Sequence, residues 1–171
     1  EIFLEHSQHI DVADIPRYAD LGVIASMQAI HCTSDAPFVP KRLGEMRAKL
    51  EAYAWRKIID SGAMIANGTD TPVEDVNPLA SFYASVTRNV PSLNHEPFFP
   101  EQKMTRQEAL ASYTINNAYA GFEEKIKGSI TVGKLADIVI LSNDLLNCPD
   151  DKILKTNILY TIVDGKVAFK K

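Results

Sequence analysis

Three apolar runs in this sequence end on side chains that can do chemistry. Leu4 is followed by Glu5 and His6, Met27 by Gln28 and then His31, and Asn67 by Gly68, Thr69 and Asp70. A neutral imidazole offers nitrogen and a carboxylate offers oxygen, donor types that suit Zn2+ or a similar divalent ion. A carboxylate beside such an ion can also take a proton from water whose pKa the ion lowers toward ~7. That chemistry requires the three run-ends to share one rim. Each residue also has a plainer use. A strand-end histidine is commonly a hydrogen-bonded structural group, and Asp70 competes with Thr69 and Asp75 to cap the next helix. His9 and His95 read as loop or cap residues, Asp35 in TSDAP as a turn residue, and Tyr53 and Trp55 as packing groups. His31 and Cys32 do not suit a thiol–imidazole pair, because extended neighbours point to opposite faces.

The elements that would position these groups follow from the pattern. IFLE (2–5), VIASM (23–27) and AMIAN (63–67) are apolar throughout rather than alternating. Such strands are covered on both faces, as in a parallel sheet. Asp11 predicts a cap for a helix over 12–21 that stops at Gly22. Residues 29–41 read as a polar loop, 44–61 as one helix ended by Gly62, and 77–89 as another. In parallel α/β sheets and barrels, reactive side chains gather beyond the carboxyl ends of strands. After a Pro-rich loop over 90–104, Thr105-Arg-Gln-Glu108 predicts a capping box opening a helix to about Gly121. Beyond it GSITVGKLADIVIL and ILYTIVDGKVAFKK are β-rich, with Asp164-Gly165 a two-residue hairpin signal.

At 171 residues, 46% hydrophobic and 23% charged, the composition is that of a globular chain. A net charge of −4 argues against nucleic acid or an anionic membrane as the main partner. No apolar run approaches the ~20 residues of a membrane span. Cys32 and Cys148 read as two free thiols in a reducing compartment, hence a cytoplasmic protein. A nucleotide-binding α/β domain is disfavoured, since GxGxxG and Walker patterns are absent.

Together, LEHSQ, IASMQAIHCTSD, GAMIANGTDTPVEDVNPL, MTRQEALASYTINNAYA and GSITVGKLADIVIL…TIVDGKV resemble, in that order, the C-terminal third of metal-dependent amidohydrolases. The branch is the one that includes N-substituted formamide deformylase-like proteins. The resemblance implies an α/β fold: residues 1–121 as about strands 6–8 of a TIM (β/α)8 barrel, and residues 122–171 as the C-terminal strands of a small β-sandwich. It implies that His6 is the metal-binding histidine after barrel strand 6. Asp70 would be the strand 8 aspartate, touching the metal and shuttling the proton of the attacking water. Gln28, His31 and Asp35 would contact substrate on the strand 7 side, with Asn77 and Pro78 on the loop beyond strand 8. The cofactor implied is a divalent metal, zinc foremost, and the substrate a small amide-type molecule.

The family's HxH pair, its strand 4 carboxylated lysine or acid and its strand 5 histidine have no counterpart here. The chain is therefore expected to begin at barrel strand 6 of a longer protein, since such barrels take ~250 residues. On its own it should be inactive and hold metal weakly, being short of the three protein ligands usual at catalytic zinc. It should also self-associate, covering sheet edges and apolar faces made for absent neighbours.

Overall fold

The computed structural model describes residues 2–171. Its first sheet is parallel, in the order β1 (Ile2–Leu4), β2 (Val23–Met27), β3 (Ile65–Asn67). Leu4 pairs with Ala25, Ala25 with Ile65 and Met27 with Asn67, so all three carboxyl ends leave the sheet at one edge. β2 and β3 are largely buried, as continuous apolar strands should be. β1 is not: Ile2, Phe3 and Leu4 are 67%, 55% and 51% exposed. The sheet order puts β1 at an edge with β2 as its single partner, which leaves its other edge open.

Helix α1 (Ile15–Asp20) joins β1 to β2. It starts later than Asp11 suggests, because the Asp11 carboxylate instead accepts the Ala13 N–H in a local turn. The stretch read as a loop holds two helices, α2 (Ala29–Asp35) and α3 (Val39–Leu43). Helix α2 has no side-chain cap of its own; the Ala29 N–H donates to Asn67 Oδ1 at 3.1 Å and the Ile30 N–H to Ser81 Oγ at 3.2 Å. Residues far along the chain thus satisfy the first-turn donors that local sequence leaves open.

The helix expected over 44–61 is broken into α4 (Glu45–Glu51) and α5 (Trp55–Asp60). Ala52 is extended and Tyr53 left-handed at φ 49°. Tertiary bonds hold the break: the Tyr53 N–H donates to the Gln8 carbonyl at 2.7 Å, and Arg88 Nη1 donates to the Tyr53 carbonyl at 3.0 Å. Arg88 is fully buried, its guanidinium 4.3 Å over the Trp55 ring, and burial pushes its pKa down.

Helix α6 (Pro78–Thr87) is capped by Asn77 Oδ1, which accepts the Leu79 N–H. The capping box of Thr105 and Glu108 forms as the sequence predicts and opens α7 (Arg106–Tyr113). A kink at Thr114 then separates α8 (Ile115–Ala120). The second sheet is antiparallel, in the order β4 (Ile138–Leu141), β5 (Ile158–Val163), β6 (Lys166–Lys170). Asp164 and Gly165, both at positive φ, make the β5–β6 turn. Between β4 and β5, α9 (Asp150–Ile153) sends Ile153 into the same core as Trp55 and Phe82. Arg106 on α7 donates to the Leu145 carbonyl and the Asp150 carboxylate. Among the described residues, no helix is long and apolar enough to cross a membrane.

Candidate metal centre

Because β1, β2 and β3 run parallel, the residues just after each emerge at the same rim. Strands one apart in the order lie about 4.8 Å from each other, so β1 and β3 are roughly 10 Å apart across β2. Donors from these two flanking strands meet only if the chain turns inward. It does: His6 (φ 67°), Ser7 (φ 42°) and Asp70 (φ 58°) all take left-handed backbone. For residues with a Cβ that conformation costs roughly 1–2 kcal/mol each, and such strain concentrates at sites where geometry matters.

The outcome is a cluster. One ligand atom each from His6, His31 and Asp70 lies within 4.8 Å of the others. His31 Nε2 is 3.8 Å from Asp70 Oδ2, too far for a hydrogen bond. The residue is 7% exposed and its Nε2 has no hydrogen-bond partner among the described residues, so a buried nitrogen lies near the carboxylate unsatisfied. Such an orphan is costly unless something else comes to pair with it. Its Nδ1 is held by the Gln8 side-chain amide at 3.0 Å. Asp70 is half-buried. A cleft of about 540 Å³, lined by Glu5, His6, Gln8 and Tyr18, opens beside His6.

The remaining residues named from the sequence lie around this cluster in different ways. Gln28, buried at the end of β2, places its Oε1 2.9 Å from His6 Nδ1. Asp35, at the far end of α2, accepts a hydrogen bond from the Tyr53 hydroxyl. Burial, and then that bond to a carboxylate, push the Tyr53 pKa up. His9 stacks edge-on against Tyr53, with ring centroids 5.6 Å apart, and desolvation lowers its pKa. Cys32 is fully buried, and desolvation pushes its thiol up to about 11, as suits an inert core group.

Three supporting residues take roles that the linear sequence does not assign them, although Glu5 is visible there as a strand-end acid. Glu5 accepts from Gln28 Nε2 at 2.6 Å, Gln8 bonds His31, and Asn67 bridges Ala29 N–H and Ser112 Oγ at 3.1 Å each. Their partners are tens of residues away, so only the folded rim reveals them.

The Amidohydrolase family profile matches residues 1–169. The chain belongs to this family. Among relatives, it is 38% identical over 165 residues to the protein LONG AFTER FAR-RED 3 of Arabidopsis thaliana, covering 95% of this chain and 28% of that protein. It is 28% identical over 169 residues to the N-substituted formamide deformylase of Arthrobacter pascens, covering 98% of this chain and 31% of the relative. Among solved structures, an uncharacterized metal-dependent hydrolase from Pyrococcus furiosus aligns with a TM-score of 0.72 and 30% identity. That alignment covers 85% of this chain and 29% of the hydrolase. This amidohydrolase chain thus spans under a third of the length of each. The solved neighbour is a metal-dependent hydrolase by its description, and in this chain imidazole and carboxylate donors gather at one strand rim of an α/β fold.

Proposed function

We propose that the chain is the C-terminal barrel segment, about strands 6–8, of an amidohydrolase that cleaves a C–N bond in a small amide-type molecule. In this reading residues 1–121 are barrel and residues 122–171 complete a small β-sandwich. The observation that carries the proposal is the convergence of His6, His31 and Asp70 at one carboxyl rim.

The residues fit a divalent ion. Two imidazoles and a carboxylate are the nitrogen and oxygen donors that zinc accepts, and the buried His31 nitrogen has no hydrogen-bond partner among the described residues. His6 and Asp70 would hold the ion, with His31 the third donor within reach. When bound, it would supply a Lewis acid that polarises the scissile carbonyl and lowers the pKa of water. Asp70, half-buried and beside His31, takes the proton of the attacking water and returns it to the departing nitrogen. We assign Gln28, His31 and Asp35 to the strand 7 side of the full-length protein's substrate site, with Asp35 held there by the Tyr53 hydroxyl. The two free thiols suit a cytoplasmic setting.

Catalysis on this reading belongs to the full-length protein. The chain by itself holds metal weakly, turns nothing over and self-associates through exposed β1. In the full-length protein, Asp70→Asn should lower kcat by about 10²–10⁴-fold with Tm unchanged. Unaltered turnover would refute the role.

A further inference from the structure

A histidine binds a metal through one nitrogen only when that nitrogen is free of its proton, so the partner of the other nitrogen decides whether the site works. At His6 that partner is Gln28. Its Oε1 lies 2.9 Å from His6 Nδ1, its Nε2 donates to Glu5 Oε1 at 2.6 Å, and Glu5 Oε2 in turn accepts from Ser26 Oγ at 2.9 Å. The orientation of this amide follows from chemistry. A carboxylate only accepts, so Gln28 must turn its NH2 toward Glu5 and its carbonyl oxygen toward His6. That oxygen also only accepts, so the His6 proton sits on Nδ1 and Nε2 keeps its lone pair.

We propose that Gln28 is a positioning residue: oriented by Glu5, its amide oxygen holds His6 as the Nδ1–H tautomer and leaves Nε2 to accept the ion. This rests on the metal-site reading above and assigns Gln28 an action through His6 rather than on substrate. Two further observations favour it. Gln28 is 6% exposed and both ends of its amide are engaged. The left-handed turn at His6 and Ser7, held by Ser7 Oγ on the Leu4 carbonyl, sets where the ring leaves the chain, and the Gln28 bond at Nδ1 then sets which nitrogen keeps its lone pair.

The test compares the chain with Gln28→Leu and with the double variant Gln28→Glu/Glu5→Gln. The double variant keeps an acceptor facing His6 and restores the relay with donor and charge exchanged. Long-range 1H–15N correlation spectra of the metal-free proteins identify which His6 nitrogen carries the proton. Zn2+ affinity is read by competition with a chromophoric chelator. We expect Nδ1–H in the parent chain, loss of that preference with about 10–100-fold weaker Zn2+ binding in Gln28→Leu, and recovery of both in the double variant. An Nε2–H tautomer in the parent chain, or an unchanged tautomer in Gln28→Leu, overturns the proposal. So does a changed tautomer with unchanged affinity. Normal tautomers with no Zn2+ binding in any variant would instead refute the metal site itself, and this inference with it.

Discussion

Acid should loosen the tie between α5 and α7 within a defined pH window. Arg56 grips the Glu108 carboxylate with two nitrogens, Nη1 at 2.9 Å from Oε1 and Nη2 on Oε2, and Nη2 also donates to the Lys103 carbonyl at 3.1 Å. The Arg56 bonds, with help from the Thr105 N–H, hold the Glu108 pKa at about 2 against an ordinary 4.5. A carboxylate whose folded pKa is depressed adds stability that is complete above 4.5 and disappears as pH falls toward 2. At ~1.36 kcal/mol per pKa unit the full shift would be worth about 3 kcal/mol. Water reaches both side chains, 26% and 29% exposed, so screening leaves about 1 kcal/mol. Glu108→Gln keeps an acceptor for the Thr105 N–H but removes the charge. Urea unfolding followed by far-UV circular dichroism should show the parent chain more stable than Glu108→Gln by about 1 kcal/mol at pH 7. That gap should narrow progressively below pH 4.5. A gap that stays constant from pH 7 to pH 2.5 would refute the assignment of the stabilisation to the charge pair.

Further outcomes are expected elsewhere in the molecule. Arg88→Met takes the side-chain donor from the Phe98 carbonyl, leaves the Tyr53 carbonyl with the Trp55 N–H alone, and removes the contact over Trp55. It should cost about 3 kcal/mol in the same urea assay, and a loss under about 1 kcal/mol would contradict the account of the α4–α5 break. At Gly128 (φ +87°) a Cβ would fall 2.6 Å from the Ala118 Cβ and 3.0 Å from the Ile115 Cα. Gly128→Ala should therefore lower stability by about 1–3 kcal/mol, read as a fall in Tm. A disulfide-exchange reagent at pH 8 should react rapidly with Cys148 and not with the buried Cys32 until urea is added; two fast thiols in the native chain would be at odds with the packing. Light scattering should give a mass above the 18.9 kDa monomer, reduced by Phe3→Asp, whereas a monodisperse monomer would argue against association through β1.

The shared rim of the candidate site is legible in the sequence. Unbroken apolar runs ending at His6, Gln28 and Asp70 imply parallel strands, and parallel strands force their carboxyl ends to a common edge. The Thr105–Glu108 capping box and the Asp164-Gly165 turn are equally local signals, and both form. Such features depend on neighbours within a few residues, so sequence spacing encodes them directly.

Elsewhere the decision lay with distant partners. Residues 29–35 are helical because Asn67 and Ser81 take the first N–H groups, and 44–61 breaks because Gln8 and Arg88 claim the backbone of Tyr53. Glu5 and Gln8 gain meaning only once folding sets them against Gln28 and His31. From the chain itself one can read which donor types the rim carries. Which nitrogen of each imidazole an amide holds, and how near Asp70 comes to His31, follow from left-handed turns and side-chain bonds spanning 22 to 23 residues. A hydrogen bond is directional and short-ranged, so it is specified by three-dimensional placement, whereas hydrophobic periodicity is specified by order along the chain.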